Sequence, residues 1–251
     1  MKTDTKQQIL NFIKEKGRTT PHEIVGYLNM NASGIFRHLN KLLQNGQIVK
    51  NGKPPKVFYS SADQKENISP LIRNGFLWNK KNISLPSDVY CGTRDVFQAR
   101  LDRLLKDLLN RFNETLSYLL VAVAGEIGNN SFDHNLGSWH DIPGIYFAVD
   151  FVSREILIAD RGQGILPTIK KVRPKITTDR EAVFIAFTEK ISGRAPEQRG
   201  NGLKFVKKII EEQNWQLDFY SGKSLLRLQN GVFDFKNLKN RLIGTVALIK
   251  F

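Results

Sequence analysis

Three polar side chains near the middle of the chain have the types and the spacing to act together. Glu126, Asn130 and Asp133 lie four and then three residues apart, so a helix would present all three on one face. An amide oxygen is a hard ligand of the kind that Mg²⁺ prefers, and a carboxylate one turn earlier can position or deprotonate a water. The spacing therefore predicts one polar helix face with groups of the kind that a nucleotide and metal site needs, for which a solvent-exposed polar stripe is the alternative.

Two glycine-rich segments follow further along the chain. Asp160 ends an apolar strand pattern, and Gly162 and Gly164 permit a tight turn directly after it. A carboxylate at that position can accept a hydrogen bond from an exocyclic amine. Residues 200–202, Gly-Asn-Gly, precede a helical pattern, where amides without a neighbouring Cβ can surround phosphate oxygens. Alone, the first segment would be more typical of a generic Asp-X-Gly turn, and a plain loop-to-helix turn is the alternative for the second.

In this order, residues 126–133, 160–164 and 199–203 resemble the N-box and the two glycine boxes of the GHKL ATP-binding superfamily. The resemblance implies that the chain binds ATP and Mg²⁺, with Asn130 as the metal ligand and Glu126 as the general base. The other residues that it places at the nucleotide are Asp133, Asp160, Gly162, Gly164, Arg199, Gly200, Asn201, Gly202 and Thr245.

The same resemblance gives further expectations for this site. Asp160 would read the adenine amino group, and Thr245, at the entry to the last strand, would support that contact. Residues 165–199 correspond to the ATP lid. Lys204 stands where many histidine kinases have a further glycine, which weakens a strict kinase assignment. The lid cations that remain equal candidates for the terminal phosphate are Lys190, Arg194 and Arg199.

The first sixty residues carry an independent pattern of three helices and a hairpin. Thr20, Pro21 and Glu23 form the signature of a capped second helix. Residues 47–59 alternate as two short strands, and Asn51-Gly52 predicts the turn between them. The inward residues predicted for the third helix are Phe36, Leu39, Leu42 and Leu43.

This order of elements resembles the winged helix-turn-helix of bacterial regulators of the ArsR and MarR type. The resemblance covers residues 3–61 and rests on the pattern more than on particular letters. It implies double-stranded DNA as the partner, with the third helix in the major groove and the wing on phosphates. Winged-helix domains also serve as protein-interaction modules, which is the alternative. The residues expected to contact DNA are Ser33, Arg37, His38, Lys41, Lys50, Lys53 and Lys56.

The composition favours a polyanionic partner. The net charge is +14, and residues 1–60 contain ten basic and three acidic side chains, although a basic solvated surface would have the same composition. The single cysteine, Cys91, excludes an internal disulfide framework and the usual multi-cysteine zinc sites. Neither a signal peptide nor a membrane-spanning run is recognisable, so we expect a cytoplasmic protein without a membrane partner.

These patterns predict three parts. Residues 1–61 would form the winged helix-turn-helix domain, residues 62–94 a connector rich in Asn, Ser, Pro and Lys, and residues 95–251 the ATP-binding domain. The fold class expected for the last part is an α/β sandwich in which helices cover one mixed sheet.

Three functions fit this organisation. The first is a nucleotide-gated DNA-binding transcriptional regulator, expected to be a homodimer with weak or no ATPase activity. The second is a protein kinase of the histidine-kinase or anti-sigma type that phosphorylates a separate protein partner, since residues 95–112 hold no phosphoacceptor histidine. The third is a slow clamp-type ATPase, although no domain after Phe251 would supply the lysine that such enzymes use. We favour the first because it uses both parts of the chain and the positive charge.

Overall fold

The structure is a computed structural model, and it describes residues 4–16, 19–54, 56–61, 70–81, 83–190 and 202–251. The chain divides into two compact units, Met1–Asn67 and Ile68–Phe251. Within the described ranges, no helix combines the length and the apolar character that crossing a membrane requires.

In its described part, the first unit packs helices against a two-stranded hairpin. Its elements are α1 (Thr5–Lys16), α2 (Pro21–Leu28), α3 (Ala32–Gln44), β1 (Ile48–Lys53) and β2 (Lys56–Ser61). The strands β1 and β2 pair antiparallel. The core between helices and hairpin includes Ile9, Ile13, Ile24, Ile35, Leu39, Leu42 and Tyr59.

The start of α2 follows directly from its sequence. The Thr20 hydroxyl accepts a hydrogen bond from the Glu23 amide (3.3 Å), and the Glu23 carboxylate accepts one from the Thr20 amide (2.7 Å). Pro21 stands in the first turn, where its missing N–H is not needed. The predicted capping box is therefore confirmed. Just before it, Thr19 and Tyr59 exchange two backbone hydrogen bonds and tie the helices to the hairpin.

The inward face of α3 differs from the prediction at one position. Phe36 is 43% exposed, whereas Ile35 is fully buried, so the prediction that Phe36 points inward is wrong. Ile35, Leu39 and Leu42 repeat at intervals of four and three residues and form the buried stripe. Phe36 lies about 100° further around the helix, which brings it to the border of that stripe.

The hairpin also reverses later than predicted. Asn51 and Gly52 do not form the turn, because both are paired residues of β1. Gly52 has a φ of +82°, a conformation that glycine adopts easily. The ladder continues to Lys53 opposite Lys56, and the chain reverses between these two lysines.

The second unit is larger and is built on a single sheet in its described residues. Its elements are α4 (Pro70–Lys80), β3 (Tyr90–Cys91), α5 (Arg94–Leu109), α6 (Glu114–Asn135), β4 (Ile145–Asp150), β5 (Glu155–Asp160), α7 (Ile165–Lys170), α8 (Asp179–Thr188), α9 (Gly202–Glu212), β6 (Gln216–Gln229) and β7 (Val232–Lys250). The strand order is β3-β4-β5-β7-β6.

The sheet is antiparallel at each neighbouring pair that the structure describes, and the prediction of a mixed sheet is wrong. The crossover through α7, α8 and α9 does bring β6 back in the same direction as β5. However, the hairpin that follows β6 inserts β7 between these two strands. The parallel pair that a crossover would have created is therefore replaced by two antiparallel pairs.

Alternation along the strands sends side chains to two different cores. One face of the sheet meets α5, α6, α8 and α9, and its side chains include Ile145, Phe147, Ile156, Ile158, Leu217, Phe219, Ala247 and Ile249. The opposite face meets α4, and its side chains include Tyr146, Ala148, Leu157, Ala159, Val246 and Leu248. The unit is thus an α/β structure of three layers, with a thick helical layer on one side and α4 on the other.

Helix α4 comes from the segment predicted as a connector. Ile72 and Trp78 are buried against the sheet. A Cβ added at Gly75 would collide with Leu157 and would lie 2.9 Å from the ring of Tyr146, so the helix approaches the sheet at the distance that a glycine allows. This part of the segment is therefore a packed layer of the second unit.

Most of the predicted lid is packed as well. Helix α8 is capped by Thr178, whose hydroxyl accepts a hydrogen bond from the Glu181 amide (3.2 Å). It buries Val183 and Phe187 in the large core. The expectation of a lid does not apply to α7 or α8, and residues 191–201 lie outside the described ranges.

Candidate functional site

Helix α6 carries the predicted polar face on its unburied side. Glu126 is exposed, and Asn130 and Asp133 are partly exposed, whereas Ile127 is buried in the core. Asp133 forms an ion pair with Arg94 at the start of α5. Asp133 therefore has a partner within the protein. The other two residues of the polar face, Glu126 and Asn130, face a glycine of a different helix.

This glycine is Gly202, the first residue of α9. A Cβ added at Gly202 would collide with the Oε2 atom of Glu126 and would lie 3.4 Å from the amide nitrogen of Asn130. The two helices can approach this closely because residue 202 has no side chain. The structure thus brings an acidic and an amide side chain to the N-terminal end of a helix, where backbone N–H groups are available to anions.

A cavity of about 360 Å³ opens beside the same carboxylate, between α5, α6 and α9. Besides Glu126, its lining residues are Gln98, Leu101, Val121, Ala122, Gly125, Asn129 and Phe205. Asn129 therefore faces this cavity, whereas its neighbour Asn130 lies next to Gly202. The two adjacent asparagines are separated by the helical rotation between consecutive residues.

Asp160, at the end of β5, is only 1% exposed. One carboxylate oxygen accepts hydrogen bonds from the Asn135 amide (3.2 Å) and the Gly162 N–H (2.8 Å). The other oxygen accepts hydrogen bonds from the hydroxyls of Ser131 (3.0 Å) and Thr245. Burial raises the pKa of the Asp160 carboxyl, and the hydrogen bonds, that from Thr245 first, oppose this rise.

Glycines line the surroundings of this carboxylate. A Cβ added at Gly244, which has a φ of +63°, would collide with Asp160, and one added at Gly162 would collide with Asn135. Gly164 has a φ of +76° and is the N-cap residue of α7. The turn after β5 and the backbone of β7 at Gly244 are therefore in direct contact. Side chains at these glycines would prevent this contact.

Arg161 does not bind the Asp160 carboxylate; its side chain binds the C-terminal end of α4. It is 3% exposed, and its guanidinium donates to the carbonyl oxygens of Trp78 (2.5 Å) and Asn79 (2.7 Å). It also donates to both carboxylate oxygens of Asp141 (2.8 and 2.5 Å). These hydrogen bonds lower the pKa of Asp141. Arg161 satisfies two of the carbonyls that the end of a helix leaves without intrahelical partners.

Sequence reasoning missed four residues that build this site, namely Asn79, Ser131, Asn135 and Arg161. The spacing of four residues between Ser131 and Asn135 puts both on the side of α6 that faces the sheet, and that signal could have been used. Asn79 carries no such signal. Its side-chain amide donates to the backbone oxygens of Asp160 (2.8 Å) and Ile243 (2.5 Å), far away in the sequence.

Three predicted nucleotide residues, Arg199, Gly200 and Asn201, lie outside the described ranges. Within those ranges, no group of three or more His, Cys, Asp or Glu residues is arranged to hold a metal ion. A Mg²⁺ ion would therefore depend on oxygen atoms of few protein side chains, such as Asn130 and Glu126, together with phosphate and water ligands.

In the first unit, the predicted DNA-contacting residues of α3 follow one exposed edge. Ser33, Arg37 and Lys41 are exposed, and His38 is partly exposed. These residues lie on a different face of α3 from the buried residues Ile35, Leu39 and Leu42. An exposed helix edge with two cations and a hydroxyl can donate hydrogen bonds to phosphates and base edges.

The hairpin provides the remaining predicted contacts. Lys50 is exposed on β1. Lys53 and Lys56 pair with each other at the end of the ladder, and their side chains lie outside the described part of the structure. A helix with exposed cations that is followed in the sequence by a hairpin with lysines at its end is the order typical of a winged helix.

The comparison with known protein families agrees with this arrangement. Residues 2–49 match a family model described as winged helix-turn-helix DNA-binding. The match spans α1 to α3 and the first residues of β1, and the remainder of the hairpin completes the wing. No curated protein matches the chain. The first unit is therefore a winged helix-turn-helix DNA-binding domain.

Proposed function

We propose that this chain is a DNA-binding transcriptional regulator whose second unit binds ATP with Mg²⁺ and thereby controls DNA binding. The observation that carries the proposal is the convergence of distant segments in the second unit. Glu126 and Asn130 lie beside Gly202, and Asp160 lies against Gly244 and accepts a hydrogen bond from Thr245. The winged helix-turn-helix domain supplies the DNA-binding function.

The surroundings of Asp160 suit an adenine amino group. A buried carboxylate offers strong acceptors where water does not compete, and a donor on the ligand is then recognised with high selectivity. Two of its four donors are the hydroxyls of Ser131 and Thr245, which can rotate and donate elsewhere. In the proposed complex, the adenine amino group takes the lone pair that one of these hydroxyls now uses.

The edge formed by Glu126 and Asn130 suits the phosphates and the metal ion. Their side chains contribute hard oxygen atoms, and a bound Mg²⁺ would neutralise part of the phosphate charge. Gly202 begins α9 beside them, so helix N–H groups are available to phosphate oxygens. Glu126 is exposed, so its carboxylate can accept a proton from a water molecule.

Control of DNA binding requires a structural element that responds to the nucleotide. Arg161 follows Asp160 directly and holds the end of α4. Asn79 of α4 in turn binds the backbone oxygen of Asp160. Helix α4 follows residues 62–69, through which the chain continues from the winged-helix unit. A shift of the turn after β5 would therefore change the anchoring of the helix nearest to that unit in sequence.

Calorimetry tests the nucleotide site. We expect Mg-ATP to bind the full chain with a dissociation constant in the micromolar to millimolar range, and Asp160→Asn to abolish binding while the protein stays folded. Asp102→Asn, an exposed position on α5, is the matched control and should bind normally. If neither the wild type nor the control gives a heat change of either sign with Mg-ATP over several temperatures, the proposed nucleotide site is refuted.

A second measurement tests the control of DNA binding. Duplex DNA affinity should change by about fivefold or more when Mg-ATP saturates the wild type, which is the usual range of coupling between two sites. Asp160→Asn should bind DNA equally with and without ATP. Equal DNA affinities of the ATP-bound and ATP-free wild type would remove the coupling and leave ATP binding and DNA binding as independent properties.

A further inference from the structure

The charge of the second unit is distributed very unevenly along its chain. Residues 161–251 contain 18 Lys and Arg against eight Asp and Glu, whereas residues 68–160 contain nine Lys and Arg against 11 Asp and Glu. The second unit is thus basic only in its C-terminal half, with +10 against −2. Such a bias attracts a polyanion, and the winged-helix domain does not account for it.

The C-terminal half also contains an irregularity that projects charged residues outward. Two paired positions of the β6–β7 ladder, Gly222 with Leu242 and Ser224 with Asn237, are separated by one residue in β6 and by four residues in β7. The longer strand must therefore bow out of the ladder. We refer to Lys223 and residues 238–241 as the basic bulge.

Asp179, the first residue of α8, holds the basic bulge in place. Its carboxylate accepts hydrogen bonds from the Lys223 amide (3.0 Å) and from the guanidinium of Arg241 (2.8 and 3.3 Å). A Cβ added at Gly222, which has a φ of +58°, would collide with this carboxylate. Arg241 neutralises the charge of Asp179. The positive charge of the lysines in the basic bulge is therefore not offset by this carboxylate.

Exposed lysines lie on the two segments that meet at Asp179, the basic bulge and the connection before α8. Lys223 and Lys239 belong to the basic bulge, and the connection that leads into α8 adds Lys171 and Lys175. Among the residues that the structure describes, none of these four lysines forms an ion pair with an acidic side chain. The nearby Glu181 is engaged in the capping box of α8. The four ammonium groups are therefore available to a ligand.

We propose that the basic bulge and the connection before α8 form a second contact surface for duplex DNA, which binds its phosphate backbone. Lysines on a projecting strand act as point charges that neutralise phosphates and read no sequence. The exposed amides of Asn237 and Asn240 can donate further hydrogen bonds to phosphate oxygens. DNA is the partner that fits because the chain has a DNA-binding domain already, and this surface would extend its contacts with the same ligand.

The test uses the full chain and a salt series. In one variant, Lys175, Lys223 and Lys239 are all replaced by Gln. In the matched control, Lys80, Lys81 and Lys106 are replaced by Gln, because these exposed lysines belong to the acidic half of the second unit. Fluorescence anisotropy gives the affinity for a duplex several helical turns long at each salt concentration, and urea unfolding verifies that both variants are folded.

Each lost phosphate contact should reduce the salt dependence, the slope of log K against log salt, by about 0.9. We expect the slope of the bulge variant to fall by about two to three and that of the control to remain unchanged. The difference should persist with and without Mg-ATP, which separates it from the proposed nucleotide control. Should the triple variant fold poorly, Lys239→Gln alone should reduce the slope by about one.

Two results would contradict the proposal that this surface binds DNA. One is an equal slope for the wild type and the bulge variant while Arg37→Ala still weakens binding, because all phosphate contacts would then come from the winged helix. The other is a wild type that binds no duplex DNA at all, which would overturn the proposed regulator as well. In a third outcome, DNA affinity is unchanged, and an acidic protein binds the control but not the bulge variant. This outcome would contradict the DNA contact and show that the surface binds a protein partner.

Discussion

The side chain of Arg161 binds the backbone of Asn79, and the side chain of Asn79 binds the backbone of the residue that precedes Arg161. The guanidinium of Arg161 donates to the Asn79 carbonyl (2.7 Å), and the Asn79 side chain donates to the carbonyl of Asp160 (2.8 Å), the residue before Arg161. The last turn of α4 and the turn after β5 therefore form one hydrogen-bonded block. The carboxylate proposed to read adenine belongs to this block, so its position is coupled to that of α4.

Replacement of Arg161 should destabilise the second unit strongly. Arg161→Met keeps much of the side-chain volume but removes the donors to Asp141 and to two helix-end carbonyls. We expect the free energy of unfolding to fall by about 3 kcal/mol, as for other buried pairs that lose one partner. Urea denaturation measures this change. Arg103→Met, at an exposed position of α5, should alter stability by less than about 0.5 kcal/mol, and an equal effect of both variants would contradict the role of Arg161.

The buried carboxyl of Asp160 predicts a specific pH dependence. Burial raises its pKa above the ordinary value of 3.8, so the native state binds this proton more tightly than the unfolded state. The stability that protonation contributes is present at low pH and is lost as the pH rises through the raised native pKa. Asp160→Asn has no charge to bury, and rotated hydroxyls of Ser131 and Thr245 can accept from its amide.

The difference in unfolding free energy between Asp160→Asn and the wild type should therefore shift in favour of the variant with rising pH. Urea midpoints measured for both proteins from pH 4 to pH 8 give this difference, in which the other titrating groups cancel. Parallel curves over the whole range would show that the Asp160 pKa is not raised by burial.

Two glycines of α6 should respond in opposite ways to alanine. A Cβ at Gly128 would collide with the ring of Phe97, whereas a Cβ at Gly125 would meet only Leu101, at an ordinary distance of 3.5 Å. Gly128→Ala should cost about 1–3 kcal/mol through overpacking. Gly125→Ala should be neutral or stabilise by up to about 1 kcal/mol, because alanine favours the helix. Thermal or urea unfolding compares the two, and equal effects would refute the close packing of α5 on α6 at Gly128.

The winged helix-turn-helix domain predicts the main losses of DNA affinity. Arg37→Ala combined with Lys41→Ala removes two exposed cations from α3, and the salt dependence of binding should fall by about 0.9 for each phosphate contact. Lys6→Ala serves as the control because it removes a charge from α1, a different helix of the same unit. Anisotropy titrations with duplex DNA provide the readout. A double variant that binds as tightly as Lys6→Ala would exclude α3 from the interface.

Local features of the fold could be predicted well from the sequence. The capping box of Thr20 and Glu23, the apolar face of α6 and the position of Asp160 at a strand end each depend on residues within about one turn or one strand of each other. The candidate site residues Glu126, Asn130 and Gly202 were identified in the same way, and the structure places them side by side.

The errors concern relationships between elements. The inward position of Ile35 in place of Phe36 depends on which side of α3 meets α1 and the hairpin, and the antiparallel sheet depends on where β7 is inserted. Neither is encoded in the period of a single segment. The packing of α4 was hidden for the same reason, because its apolar residues are few and its sheet contacts come from distant strands.

By itself, the amino-acid sequence determined the local elements, the winged-helix pattern and the types of side chain available for a nucleotide, because these follow from neighbours along the chain. Only the tertiary structure decided how the polar groups are used. It pairs Asp133 with Arg94, surrounds Asp160 with four donors and joins Asn79 to a carbonyl 81 residues away. Such pairings arise because a buried polar group must find a partner wherever the packed elements bring one, and no local pattern specifies that partner.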